Sequence, residues 1–172
     1  MTRFGIILCS LLISFLAFSQ EQKPFCENLE FHEKVDQTIA YSIPVLDVKA
    51  LKENKDAYII LDAREVEEYK TSHIPGAHYV GYEELDLSSL EGISKDAPIV
   101  VYCSIGYRSE KVGEKISQLG FRKVFNLYGS IFEWANRGYP LIDVNKRTTL
   151  AVHTYNKKWS QWMINPEVTK IW

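Results

Sequence analysis

From Ser42 onward the chain alternates short apolar runs with segments of helical spacing. Ile43-Pro44-Val45 reads as a short strand, and Asp47 as the N-cap of a helix over Val48 to Glu53. Ala57 to Leu61 and Pro98 to Tyr102 are continuous apolar runs, the mark of strands buried on both faces. Asp62-Ala63-Arg64 ends the first of these, and Glu65 to Lys70 reads as helix. His73-Ile74-Pro75-Gly76-Ala77 forms a turn ahead of a strand at His78 to Val80, and Asp86 to Gly92 is helix or loop. Ser109 to Leu119 sets Val112, Ile116 and Leu119 on one helical face, closed by Gly120. Val124 to Leu127 is a strand, Tyr128-Gly129 turns into a helix over Ile131 to Asn136, and Gly138-Tyr139-Pro140 stops it. Strands alternating with short helices predict an α/β domain, a parallel sheet of about five strands with helices on both faces.

The two flanks differ from this pattern. Met1-Thr2-Arg3 precedes an uncharged apolar run from Phe4 to Phe18, and Ala17 and Ser19 supply the small side chains that signal peptidase needs. The run falls short of the roughly 20 residues that span a bilayer. Residues 1–19 are therefore expected to be a signal peptide cleaved after Ser19. Such a protein is exported, periplasmic in a Gram-negative cell and otherwise secreted, with no membrane segment left after cleavage. Residues 20–42 form a polar arm, in which the spacing of Phe25 and Leu29 allows a short helix. The tail over 142–172 holds Tyr155, Trp159, Trp162 and Trp172 and is expected to dock as a hydrophobic clasp over a sheet edge or helix face. On a helix, Trp159 and Trp162 would share one face.

Composition narrows the function classes. Hydrophobic residues at 46% and charged residues at 24% are those of an ordinary globular protein. With 20 Lys plus Arg against 22 Asp plus Glu, the net charge of −2 lacks the basic surplus of a nucleic-acid binder. Three cysteines are too few for a disulfide scaffold, and neither they nor His32, His78 and His153 have metal-ligand spacing. No metal and no cofactor is implied. His73 reads as a hydrogen-bonding turn residue.

One segment carries chemistry: Cys103-Ser104-Ile105-Gly106-Tyr107-Arg108, between a buried strand and a helix. Sites in open α/β sheets form at the carboxyl ends of the strands. A loop there turns backbone N–H groups inward at the positive end of the next helix. That field favours thiolate over thiol, so Cys103 should be acidic and nucleophilic. Gly106 lets the backbone curl, and Arg108 adds a fixed positive charge for an anionic donor. Cys26 is either a half-buried apolar contact of the arm or a resolving thiol for Cys103.

With these residues in place, the stretch from Ile43 to Leu141 resembles a single-domain rhodanese. Four pieces match in order: Leu61-Asp62-Ala63-Arg64 with Glu68-Tyr69; His73 to Ala77; Val101 to Ser109; and Leu127-Tyr128-Gly129 with Trp134. The resemblance implies a sulfurtransferase with a rhodanese domain over 43–141. Cys103 would take a sulfane sulfur from a small donor, thiosulfate-like or a persulfide, and pass it to cyanide or a thiol, with a protein thiol as a further candidate partner. The amides from Ser104 to Arg108 would cradle the sulfur. Asp62, Arg64 and Glu68 would be a supporting polar cluster, with Arg64 and Glu68 paired at i, i+4. The alternative is a non-enzymatic rhodanese-like sulfur carrier or protein-interaction module. Cys103 and Arg108 are separated by four residues, one fewer than in related phosphatases, and the shorter loop suits a sulfur atom. Two departures stand out: Ser130 occupies a position that is often glycine in the family, and Ser104 and Ile105 are neutral where strong thiosulfate users often carry basic residues.

Overall fold

The two apolar runs become the middle of one sheet. In the computed structural model, which describes residues 24–172, five strands lie in the order β1-β5-β4-β2-β3. They are β1 (Val45–Leu46), β2 (Ile59–Asp62), β3 (His78–Tyr79), β4 (Ile99–Tyr102) and β5 (Val124–Leu127), and every pairing is parallel. The signal peptide expected over 1–19 lies outside the described residues. Among the described residues, five α-helices accompany the sheet: α1 (Leu29–Asp36), α2 (Val48–Glu53), α3 (Val66–Thr71), α4 (Tyr107–Gln118) and α5 (Ser130–Asn136).

The period-two alternation of a strand sorts the core into two faces. Ile60, Val100 and Tyr102 point to one cluster with Phe31, Val35, Leu51, Ile131 and Phe132, from α1, α2 and α5. Leu61, Ile99 and Val101 point to the other, with Val112 and Ile116 of α4. All four residues of β4 are buried. The expected α/β parallel sheet, covered on both faces, is thus the fold.

The differences lie at element ends and in the flanks. Lys55–Ala57 is a 3₁₀ turn, so β2 starts later than the apolar run does. Residues 86–92 hold only a 3₁₀ turn at Ser88–Leu90. In the arm, α1 forms, but its buried residues are Phe31 and Val35, while Phe25 and Leu29 are 49% and 74% exposed. The short helix that the spacing allowed is present, starting at Leu29 and leaving Phe25 outside it. Leu119 is likewise exposed, at the C-cap of α4, because the helix begins at Tyr107 and ends at Gln118.

The tail continues as β6 (Leu141–Ile142) antiparallel to β7 (Thr148–Thr149), then β8 (Ala151–His153) parallel to β9 (Thr169–Ile171). Trp159–Trp162 is a 3₁₀ turn between the last two. Its clasp falls on the arm and α5 more than on a sheet edge. Val152 and Met163 are fully buried in the same cluster as Phe31, and the Phe31 and Trp162 rings lie 6.0 Å apart. Asn136, the last residue of α5, ties the tail down: its Nδ2 donates to the Trp162 carbonyl at 2.9 Å, and its Oδ1 accepts from Ile164 N–H at 2.9 Å.

Candidate active site

Cys103 is the first residue past β4, at the carboxyl end of the sheet. Its backbone is held from below by α5. The Ile131 and Phe132 N–H groups donate to the carbonyls of Cys103 and Ser104, each at 3.2 Å. These N–H groups lie in the first turn of α5, where no intrahelical acceptor exists for them. Ser130 sits at φ +51, a left-handed conformation, and its hydroxyl accepts from Cys103 N–H at 3.2 Å. The serine that departs from the family pattern therefore satisfies a buried N–H of the nucleophile.

The loop then curls around the sulfur. Gly106 N–H donates to Cys103 Sγ at 3.1 Å, and the Ser109 hydroxyl lies 3.4 Å from it. That hydroxyl also lies 2.7 Å from Asn126 Oδ1 and 3.1 Å from the Gly106 carbonyl, so its single proton is shared among three acceptors. Asn126 Nδ2 donates to the Gly106 carbonyl at 2.9 Å and fixes the curl. Gly106 has φ +129, and a Cβ there would meet Ile39 of the arm at 2.9 Å. Glycine is required by both the backbone angle and the space.

Burial pushes the Cys103 thiol up. The Arg108 guanidinium, the Ser109 hydroxyl, and the N–H groups of Ser109 and Gly106 outweigh it, and the thiol lies below its ordinary value. Cys26 is the opposite case. It is fully buried against Gly129 and Glu133, and burial first, then the Glu133 carboxylate, pushes its thiol far up. That places Cys26 as a core contact, more buried than the half-buried contact expected, and makes it a poor resolving thiol.

The polar cluster is wired differently from the expected Arg64–Glu68 pair. Arg64 is fully buried and pairs with Asp62 at 2.6 Å, while also donating to the Ser72 carbonyl at 2.6 Å. Tyr102 Oη donates to the same Asp62 at 2.5 Å and accepts from Ile74 N–H, which joins the strand to the turn before β3. Glu68 instead takes Arg108 in a two-pronged pair at 2.6 and 2.8 Å. Ser104 Oγ joins this pair, donating to Glu68 Oε1 at 3.1 Å and accepting from Arg108 at 3.0 Å. Burial raises the Glu68 carboxyl, but the Arg108 hydrogen bonds and charge win and hold it below the usual carboxylate range. The i, i+4 rule fails here because Arg64 precedes α3, which starts at Val66. The fixed positive charge expected of Arg108 is thus present at the loop, already matched by the Glu68 carboxylate.

Above the loop is a cavity of about 440 Å³ that reaches Cys103. Ile105 and the half-exposed Tyr107 line it from the loop, as do Tyr82, Glu83 and Glu65 from neighbouring segments. Its remaining walls come from the flanks: Thr38 of the arm, and Tyr155 and Trp159 of the tail. The Tyr155 ring lies 5.3 Å from the Arg108 guanidinium, and Lys34 of α1 lies over Trp159 at 5.4 Å. Ile105 and Tyr107 were expected here; Thr38, Tyr155 and Trp159 were not, and the density of aromatics in the tail was the one signal that pointed to the last two. His73 stays outside the site, stacked on Tyr69 at 4.0 Å and donating from Nδ1 to the Tyr69 carbonyl at 3.1 Å.

Comparison with known proteins places this geometry. Residues 45–137 match the family model described as Rhodanese-like domain. The chain is 33% identical over 101 residues to the Bacillus subtilis protein YrkF, whose name provisionally marks it a sulfur carrier. It is 32% identical over 88 residues to the thiosulfate sulfurtransferase GlpE of Coxiella burnetii. Those alignments take in 57% and 51% of this chain, and the chain spans 54% of YrkF and 80% of GlpE. Among solved structures, a rhodanese-related protein from Thermoplasma volcanium superimposes with a TM-score of 0.52 at 30% identity, covering 58% of this chain and 98% of that one. The arm and the whole tail lie outside the matched family residues.

Proposed function

The chain belongs to the rhodanese-like domain family, and on that premise we propose that it is a sulfurtransferase that carries a sulfane sulfur on Cys103. One observation carries the reading: an acidified thiol that accepts from Gly106 N–H at 3.1 Å at the floor of an open cavity. The Cys103 thiolate attacks the outer sulfur of a donor. A new S–S bond forms, the donor's own bond to that sulfur breaks, and its electron pair leaves with the rest of the donor: sulfite from thiosulfate, or a thiolate from a persulfide. An acceptor thiolate or cyanide then attacks the outer sulfur and releases the Cys103 thiolate. No electrons enter or leave the cycle. The loop amides and the α4 N-terminus stabilise negative charge on Cys103 at both stages.

Asp62 and Arg64 act as positioning residues that brace the wall beside the loop, and Glu68 aims Arg108. A two-step cycle predicts parallel-line kinetics when thiosulfate and cyanide are varied, with loss of thiocyanate formation in Cys103→Ser. The resemblance to YrkF favours the sulfur-carrier reading. A chain that accepts one sulfur and never turns over with any thiophile would decide for that carrier. We also propose that the protein is exported, a reading supported by the apolar stretch before Ser19.

A further inference from the structure

We propose that the arm and tail add to this site a subsite for the body of a small organic persulfide, R–S–SH, whose R group is apolar and carries no negative charge. The inference rests on the reading of Cys103 as the sulfur-accepting thiol and names the donor class of that site. The first observation is size and origin. A cavity of about 440 Å³ over the nucleophile falls in the range of sites for organic ligands, far beyond the needs of a five-atom anion. Tyr155 and Trp159 wall it from outside the family match, which ends at residue 137. Tyr155 is held there at φ +65, a conformation that bulky residues rarely adopt, with its N–H donating to His153 Nδ1 at 3.1 Å.

The second observation is charge. Among the described residues lining the cavity, Arg108 is the only cation, and both prongs of its guanidinium are on Glu68. A second carboxylate, Glu65, lies 3.8 Å from the same guanidinium, and Glu83 lines the cavity as well. The hydroxyl of Ser104 is also taken by Glu68. A dianion is drawn by the loop amides at the α4 N-terminus, but among the described lining residues it meets the carboxylates of Glu65 and Glu83 with no cation free of a carboxylate partner to offset them, and like charges in a partly enclosed site repel. A neutral apolar body instead buries against Tyr82, Tyr107, Tyr155, Trp159 and Ile105.

The step balances without a co-reactant. The Cys103 thiolate bonds to the outer sulfur of R–S–SH, the donor's S–S bond breaks, and R–S⁻ leaves with that bond's electron pair. The proton stays on the transferred sulfur or passes to the leaving thiolate.

The test loads the full chain with a matched set of donors: methyl, benzyl and 4-carboxybenzyl persulfide, with thiosulfate alongside. Loading rates of Cys103 are read by quenched intact-mass spectrometry. Benzyl persulfide should load at least about tenfold faster, per unit concentration, than its carboxylated analogue, a difference of the size a single pocket contact provides. Trp159→Ala should cut the benzyl-over-methyl preference by about the same factor, and Trp159→Phe should restore most of it. Glu83→Gln should narrow the gap between the neutral and carboxylated donors. Equal rates for benzyl and carboxybenzyl donors, or a Trp159→Ala variant that keeps its melting temperature and its donor preference, overturn the subsite and leave sulfur transfer standing. Failure of every donor to load Cys103 overturns the sulfur-transfer reading itself.

Discussion

Two sulfurs in one chain differ by their surroundings. Cys103 accepts from an N–H at 3.1 Å and faces a guanidinium; Cys26 is buried beside a carboxylate. Of the two described cysteines, iodoacetamide should therefore modify Cys103 and spare Cys26 in the folded protein, with a half-maximal rate at a pH below the ordinary thiol value of about 8.5. Arg108→Gln should move that midpoint up, since it removes the largest stabilising influence on the thiolate. It also strands the buried Glu68, at a cost of about 3–5 kcal/mol. The double variant Arg108→Gln/Glu68→Gln should recover much of the stability and keep the raised midpoint. Modification of Cys26, or an unmoved midpoint, would contradict the assignment. The Cys103–Arg108 loop was legible in sequence because its parts are local: strand, cysteine, glycine, helix. The Glu68–Arg108 pair spans 40 residues, and no local spacing rule reports it.

At the level of elements, the short helices and strands owe their places to a few side-chain ties. Asn136 is the plainest case. It ends α5 and offers both its amide groups to the tail backbone, at Trp162, Ile164 and Asn165. Asn136→Ala leaves those backbone groups without partners and should cost about 1–3 kcal/mol. Hydrogen exchange should then quicken over residues 159–165 while β4 keeps its protection; uniform loss across both, or no change, would show that the tail is held by other means. The strands were readable because apolar runs of four to five residues mark buried parallel strands. The face of α1 was not, because both candidate faces carry apolar residues: Phe25 and Leu29 on one, Phe31 and Val35 on the other. Only the position of Trp162 and Phe132 around Phe31 decides between them.

Across the whole molecule, the family match and the core have different limits. The match ends at 45 and 137, yet Phe31 and Val35 before it and Val152 and Met163 after it share one buried cluster with β4. The boundaries at 42 and 141 mark a recognisable pattern, and the core runs through both. The flanks thus serve stability and, through Thr38, Tyr155 and Trp159, the shape of the site. The sequence before Ser19 belongs to the same scale: purified from the cell envelope or medium, the protein should begin at Gln20, and a chain retaining Met1 would contradict export. The central claim, that Cys103 holds the transferred sulfur, is tested most directly by intact mass after incubation with thiosulfate or an organic persulfide. The account predicts a gain of one sulfur atom on Cys103, removed by cyanide and absent in Cys103→Ser. A folded protein whose Cys103 titrates as a thiolate and yet gains no sulfur from either donor would contradict it.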